Sequence, residues 1–280
     1  MTSQPTFAEL PSRALIAVGG ADWRSFLQGQ LTQDVETLAT GEARFAALLT
    51  PQGRLLWDMF VVGREDGCWL EVAREHREAI IQRLSLYRLR AKVEIAADET
   101  AVSALFGGTD PPPEGEHLVV RDPRLPALGL RGYGARPPAE AEIADEADYD
   151  AWRLELGVPG PADWGSDQTY PIEANFDLLG GIDFKKGCFV GQETTSRMKR
   201  RGQIKTRMLP IVFDGDAPAP GAEVLAGTLR AGQVCSGTDG RAMALLRLDR
   251  IGGELTVDGW PVQVERPDWI AAALGEAVPS

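Results

Sequence analysis

Cysteine and histidine are scarce in this chain of 280 residues, which holds only Cys68, Cys188, Cys235, His76 and His117. The cysteines lie far apart and form no C-x-x-C pair, which excludes an evident disulfide framework and a self-contained zinc or cluster site of the usual spacing. Two histidines are too few for a histidine-based metal centre. A metal or cluster held here by one cysteine would need further ligands from a partner.

Basic charge and long apolar runs are also lacking. The net charge of −12 disfavours direct nucleic-acid binding, because affinity for phosphate comes from lysine and arginine. No apolar run approaches the roughly 20 residues of a membrane span. The N-terminus shows no basic region followed by an apolar core, as a signal peptide would. We therefore expect a monomer in the cytoplasm, with no membrane contact.

The apolar pattern predicts an α+β fold. Alternating stretches such as RALIAV, ARFAALLT, RLLWDMFVV and CWLEVA predict strands, two of them joined by the turn signal PQG. Asp22 is expected to cap a first helix, and a second helix should turn Ile80, Leu84 and Tyr87 inward. Helices on a largely antiparallel sheet follow from this order.

A third helix is predicted over AEIADEADYDAWRLELGVPG, with Tyr149, Trp152 and Leu156 inward and Gly157 at its end. A loop is expected over 107–117 because of its proline and glycine content. Short strands and turn signals from residue 203 onward predict a small β-barrel. The expected segments are 1–106, 107–202 and 203–280.

The stretch DFKKGCFVGQE places Cys188 between two glycines. Gly187 and Gly191 permit positive φ angles, and Lys186 with its neighbour favours the thiolate if both lie near the sulfur. Gln192 and Glu193 add a donor and acceptors. The residues alone leave two readings open: a reactive or metal-binding thiol, or a small residue in a tight turn.

KGCFVGQE closely resembles the signature of the YgfZ family, folate-binding proteins of iron–sulfur cluster assembly and repair, whose fold is similar to that of the glycine-cleavage T-protein. The resemblance extends to ALIAVGGADWRSFLQGQLTQDV, PQGRLLWD, LYRLRAKVEI, WRLELGVPG and YPIEANFDLLGGIDF, and so covers most of residues 10–207. Phe189 stands where tyrosine is common in the family.

The resemblance implies a multi-segment T-protein-like fold around a tetrahydrofolate channel, ending in the small barrel. It also implies that Cys188 and Lys186 carry the chemistry, together with the motif residues Gly187, Gly191, Gln192, Glu193 and Arg197. The candidate folate-binding residues are Gln28, Gln30, Thr32, Asp34, Arg54, Glu173 and Asn175. Each has an alternative structural reading as a cap, turn or surface residue.

Three functions stay open. The first is a folate-binding accessory factor that acts through Cys188 on iron–sulfur assembly proteins or cluster-containing client enzymes, with a cluster held transiently between partners. The second is a tetrahydrofolate-dependent aminomethyltransferase, which needs a tuned acid or base more than a thiol. The third is a role in tRNA modification, suggested by the basic run RMKRRGQIKTR, either direct or indirect. Since the sequence features a thiol, we favour a factor that is not a classical turnover enzyme.

Overall fold

The computed structural model describes residues 4–108, 118–202, 204–271 and 274. Most of the loop expected over 107–117 lies outside them. The first elements are β1 (Thr6–Glu9), β2 (Arg13–Gly19), α1 (Trp23–Gln30), β3 (Ala43–Leu49), β4 (Leu55–Arg64), β5 (Gly67–Ala73), α2 (Arg77–Arg88), β6 (Glu94–Asp98) and β7 (Val102–Phe106). They are followed by β8 (Leu118–Arg121), β9 (Leu130–Tyr133), β10 (Glu142–Ala144), α3 (Glu146–Glu155) and α4 (Gln192–Arg201).

The first sheet is antiparallel, in the order β3-β4-β5-β2-β6. The predicted strands and the β3–β4 hairpin are confirmed. α1 and α2 bury Trp23, Leu27, Ile80 and Leu84, as their spacing predicts. The prediction for Tyr87 is wrong: this side chain is 42% exposed, because α2 ends one residue later and leaves its last turn off the sheet.

The predicted cap of α1 is also wrong in detail. Asp22 occupies the N-cap position, but its side chain makes no cap bond. Its carboxylate instead accepts a hydrogen bond of 2.8 Å from the backbone N–H of Lys92. Asp22 thus joins the start of α1 to the connection between α2 and β6.

The second sheet has the order β10-β1-β7-β9-β8. β1 pairs in parallel with β10 and antiparallel with β7, so the N-terminal strand lies among later strands. The expected boundary at 106/107 therefore falls between two strands of one sheet. The third predicted helix begins later than expected, since Glu142–Ala144 form β10.

α3 begins at a capping box, in which Asp145 and Asp148 each accept a bond from the other's backbone N–H. It ends before Gly157, which has a φ of 69°. Tyr149 is buried, whereas Trp152 and Leu156 are only half-buried.

The last elements are β11 (Thr206–Val212), β12 (Glu223–Ala226), β13 (Leu229–Thr238), β14 (Arg241–Arg247), β15 (Leu255–Val257), β16 (Trp260–Val264) and α5 (Asp268–Ala271). The six strands form a closed barrel, which confirms the β-barrel expected from the sequence. None of the helices in the described part of the chain has the length and apolar character that a bilayer crossing requires.

The segment between α3 and α4 has little regular structure, yet much of it is buried. Phe176 stacks on Phe45 of β3 at 4.5 Å between ring centroids and meets Trp164 edge-on at 5.4 Å. Arg207 of β11 forms two hydrogen bonds of 2.9 Å with the carboxylate of Asp177. This segment therefore joins the first sheet to the barrel and leads directly into the cysteine motif.

Candidate functional site

Cys188 is the exposed cysteine, and Cys68 and Cys235 are buried. Burial raises the pKa of the Cys68 thiol to about 12, and it raises that of Cys235 to about 12 as well. Because thiolate and access are both needed for thiol chemistry, Cys68 and Cys235 are packing residues. Cys188 is the thiol that the fold presents to solvent.

Lys186 fastens the cysteine loop to the end of α1. Its ammonium donates hydrogen bonds to the backbone carbonyls of Gln28, Leu31 and Gln33, at 2.8, 2.6 and 2.9 Å. Burial lowers the pKa of Lys186 to about 8, although Asp34 opposes this. The ammonium therefore binds a carbonyl in the last turn of α1 and two carbonyls just after the helix, and these contacts give Lys186 a positioning role in the cysteine loop.

Backbone contacts complete this attachment. Asp183 Oδ1 accepts the N–H of Lys185 at 2.7 Å, and Asp183 donates its own N–H to the Thr32 carbonyl at 3.0 Å. Val190 donates its N–H to the Gly29 carbonyl at 3.3 Å. The loop that carries Cys188 is thus held on both sides of the cysteine.

The two motif glycines serve different purposes. Gly191 has a φ of 82° at the N-cap of α4, where an added Cβ would lie 2.6 Å from the Thr50 carbonyl oxygen and 2.9 Å from Gly53 Cα. An added Cβ at Gly187 would meet nothing within 4 Å, and its φ is not positive. Gly191 is therefore a packing requirement, whereas Gly187 leaves open space beside the thiol.

α4 follows the motif as a basic helix. Glu193, Arg197, Lys199 and Arg200 are exposed, and Gln192 is half-buried. Lys199 Nζ lies 4.8 Å from the centre of the Phe184 ring. Within the described residues, no salt bridge reaches Arg197, Lys199 or Arg200. The helix beside Cys188 therefore presents cations that no carboxylate of the described chain neutralises.

The polar cluster that follows α1 is bonded within itself. Gln28 donates to Asp34 Oδ1 at 2.8 Å and accepts the Val35 N–H at 2.7 Å. Thr32 Oγ1 donates to the Gly181 carbonyl at 2.6 Å. Burial raises the pKa of Asp34, but bonds from Thr37, Gln28 and Arg44 lower it to about 2. Gln28, Thr32 and Asp34 thus stabilise the loop after α1, whose carbonyls accept hydrogen bonds from Lys186.

The remaining candidates hold the chain segment ahead of the motif. Arg54 donates to the Gln168 carbonyl and lies 4.7 Å from the Tyr170 ring. Glu173 accepts from Thr206 Oγ1 at 2.7 Å. The Asn175 side chain donates a hydrogen bond to the Met208 carbonyl at 2.7 Å. Gln30 is half-buried in the last turn of α1.

A cavity of about 530 Å³ lies elsewhere, between the first sheet, the second sheet and α3. Its wall includes Arg13, Asp58, Arg124, Arg131 and Tyr149. Neither Cys188 nor any of the candidate folate-binding residues lines it. The structure therefore separates the thiol from the cavity, and the charged groups of the cavity were missed in the sequence.

Buried charges surround this cavity. Arg124 pairs with Asp122 in a two-pronged contact at 3.0 and 2.7 Å, and both Arg124 and Arg131 donate to the Tyr149 hydroxyl at 2.9 Å. Burial raises the pKa of Asp122, but Arg124 holds it below the usual value. Arg13 donates to Glu71 at 2.9 Å.

Two polar groups of the cavity wall are incompletely paired. Arg131 Nη1 is buried without a hydrogen-bond partner, and the nearest carboxylate oxygen, Glu71 Oε1, lies 3.5 Å away. The Asp58 carboxylate lies 3.5 Å from Arg13 Nη2 and accepts no hydrogen bond from the described residues. Both residues line the cavity, so its wall combines an anionic acceptor with a cationic side chain, which suits a ligand with both kinds of polar edge.

One sequence signal pointed to this cavity. Asp58 interrupts the apolar strand LLWDMFVV, where a charged residue is unusual unless it is paired or functional. Arg131 and Tyr149 come from other elements, and only the folded chain brings them to Asp58. Within the described residues, no three His, Cys, Asp or Glu side chains form a metal site.

The architecture is that of the glycine-cleavage aminomethyltransferase. The crystal structure of aminomethyltransferase T from Bartonella henselae matches with a TM-score of 0.78, covering 96% of this chain and 87% of that one. The identity is 19%, so this likeness shows the fold alone. The model of the CAF17 C-terminal beta-barrel domain matches residues 205–272.

Curated relatives give the family. Iron–sulfur cluster assembly factor IBA57 of Mus musculus is 30% identical over 94% of this chain and 85% of its own length, and that of Homo sapiens is 30% identical over 96% and 83%. The homolog of Neurospora crassa is 31% identical over 75% of this chain, which spans only 54% of that relative. The chain belongs to the IBA57 family.

These names refine one expectation and overturn another. The relatives are called IBA57 rather than YgfZ, while the T-protein-like fold expected from the resemblance is confirmed. The expected cytoplasmic location is wrong, because the relatives from Neurospora crassa, mouse and human are all named mitochondrial. Composition could not separate the two compartments, since proteins of both are soluble and poor in disulfides.

Proposed function

We propose that this protein is an accessory factor of iron–sulfur cluster assembly in which Cys188 supplies one thiolate ligand to a cluster held transiently with a partner. The exposed thiol on a firmly attached loop carries this proposal. The names of the curated relatives support the same process. A single thiol cannot complete a cluster site, so the remaining ligands come from the partner.

The partner surface that meets the thiol should be acidic. Arg197, Lys199 and Arg200 lie in α4, which begins four residues after Cys188, and they have no salt bridges within the described residues. Unpaired cations steer an acidic partner toward the site and also favour the negative charge of a thiolate-ligated cluster. Any effect on tRNA modification is then indirect, through cluster-dependent enzymes.

We also propose that reduced folate binds in the cavity. Its volume of about 530 Å³ is within the range of small-molecule sites. A pterin edge pairs donors with acceptors, and the cavity wall offers the Asp58 carboxylate as an acceptor and the Arg131 side chain as a donor. Bound tetrahydrofolate would supply one-carbon or redox chemistry. The chain's own contribution is to bind and orient it apart from the thiol.

A folate-dependent aminomethyltransferase is the second candidate, favoured by the fold. It would use the cavity and not Cys188. The assembly role ranks first because the loop that is attached to the end of α1 carries the exposed thiol of Cys188. Likeness of fold alone does not establish chemistry.

The test is complementation in cells that lack the protein. Cys188→Ala should abolish rescue of cluster-dependent enzyme activities, with little change in melting temperature, since an exposed thiol buries little area. Lys185→Ala, which changes an exposed neighbour, is the matched control. Full rescue by Cys188→Ala, together with loss of rescue by Asp58→Asn, would favour the transferase instead.

A further inference from the structure

The end of α2 carries an exposed patch, and none of its residues lines the cavity. Its apolar members are Leu86, Tyr87 and Leu89, with exposed fractions of 76%, 42% and 89%. All six residues from 85 to 90 are exposed, whereas Leu84, one position earlier, is buried. We call Leu86, Tyr87, Leu89, Arg88, Arg90 and Lys92 the α2-end patch. Neighbouring exposed apolar side chains mark interaction sites more often than scattered single ones do.

Leu89 adopts a backbone conformation that leucine disfavours. Its φ is 46° and its ψ is −105°, at the position where α2 ends. Helices usually place glycine at such a point, because a side chain is strained there. The Leu89 side chain gains nothing from burial in return. The fold therefore does not account for a leucine at this position.

The patch is basic within an acidic chain of net charge −12. Arg83 lies over the Tyr87 ring at 5.3 Å, and Arg88 donates to the Val93 carbonyl at 3.0 Å. Salt bridges among the described residues include none to Arg88, Arg90 or Lys92. Apolar side chains bordered by cations that form no salt bridge are complementary to an apolar surface that carries carboxylates.

We propose that the α2-end patch docks an acidic segment of a protein partner, with Leu86 and Leu89 as apolar anchors and Arg90 and Lys92 meeting its carboxylates. A second copy of this chain fits poorly, because a two-fold contact would oppose like charges. Nucleic acid and anionic membranes are extended anionic surfaces and would also meet the acidic remainder of this chain, whose net charge is −12, whereas a short acidic segment meets only the patch. This surface is independent of the role of Cys188.

Photo-crosslinking of the full chain in cells tests the proposal. A benzophenone amino acid replaces Ser85, which is exposed beside the patch, and in a matched control it replaces Leu229, which is 58% exposed in β13. We expect position 85, and not position 229, to crosslink to an Asp- and Glu-rich peptide of another protein, identified by mass spectrometry. Leu86→Ser with Leu89→Gly should cut that yield at least about tenfold, equivalent to about 1.4 kcal/mol. Arg90→Glu with Lys92→Glu should do the same, and Cys188→Ala should leave the yield unchanged.

Leu89→Gly separates docking from folding. Because glycine relieves the positive φ, this variant alone should melt at or above the temperature of the parent while its crosslink yield falls. A lower melting temperature would show that Leu89 serves the fold, and would overturn the proposal. Equal crosslinks at 85 and 229, crosslinks only to the same chain, or yields unaffected by the four substitutions would also overturn it. So would co-sedimentation with phosphatidylserine vesicles or binding to RNA that requires Leu86 and Leu89, in the absence of any protein crosslink.

Discussion

Gly53 and Gly191 meet backbone to backbone. A Cβ on Gly53 would lie 3.0 Å from the Gly191 carbonyl oxygen, and one on Gly191 would lie 2.9 Å from Gly53 Cα. The β3–β4 turn thereby packs against the N-cap residue of α4, three positions after Cys188. Two stretches that are about 140 positions apart in sequence, PQGR and KGCFVGQE, form one structural unit because neither glycine carries a side chain.

Gly191→Ala should therefore destabilise the protein. The positive φ costs roughly 1–2 kcal/mol for alanine, and crowding against Thr50 and Gly53 adds about 1–3 kcal/mol. Urea denaturation measures the sum. Gly187→Ala is the control and should be nearly neutral, since its Cβ meets nothing. Equal losses in the two variants would contradict the contact.

Iodoacetamide should label Cys188 first in the native protein at neutral pH. Cys68 and Cys235 are buried with pKa values raised to about 12, so they should react only on unfolding. Peptide mapping by mass spectrometry gives the order of modification. Early labelling of Cys68 or Cys235 would show that the thiols had been assigned the wrong roles.

Lys186 should make stability depend on alkaline pH. Its pKa falls from the usual 10.5 to about 8 on folding, so the unfolded chain binds more protons between these values. The free energy of unfolding therefore gains from this residue as pH rises from 8 to 10.5. Lys186→Arg does not titrate there, so the stability difference, parent minus variant, should increase with pH. Denaturation at a series of pH values measures it.

A flat or falling difference would mean that the three carbonyl acceptors keep the Lys186 ammonium charged in the folded state. Lys186→Met tests the attachment itself. It leaves those carbonyls without their donor, and an unsatisfied buried group costs about 1–3 kcal/mol. Faster alkylation of Cys188 in this variant would show that the loop has loosened.

Asp58→Asn and Arg131→Met should each weaken tetrahydrofolate binding. A hydrogen bond to a charged group contributes about 1.5–3 kcal/mol, so roughly tenfold or more should be lost. Calorimetry of the parent should show saturable binding in the micromolar range, about 8 kcal/mol. Asp34→Asn is the matched control, because Asp34 lies in the loop gripped by Lys186 and not in the cavity. The reverse order of effects would place folate beside the motif.

The α+β fold, the hairpin and the barrel could be predicted because each depends on local periodicity and turn residues. The exposure of Cys188 follows from its polar, glycine-flanked setting. Tyr87 was misplaced because periodicity continues to the end of a helix whether or not the sheet beneath it does. The strand at Glu142–Ala144 was missed because its partner, β1, is 136 residues away.

The cavity could not be predicted because its groups come from separate elements. Arg131 of β9 meets Tyr149 of α3 and Glu71 of β5 only after both sheets pack together. The mutual hydrogen bond between Gln28 and Asp34 could not be predicted either, because their polar spacing is the same whether they bind a ligand or each other. The sequence identifies the polar side chains, but the hydrogen-bond partner of each one depends on how the folded chain packs.

The buried Arg207 has a consequence for how the chain can be cut. It lies in the first barrel strand, yet it bonds to Ile172, Asn175 and Asp177, all before the region matched at 205–272. In a fragment made from the matched region alone, the Arg207 guanidinium would lack these hydrogen-bond acceptors. The boundaries of the matched barrel domain are therefore not the boundaries of a fragment that can be expected to fold alone.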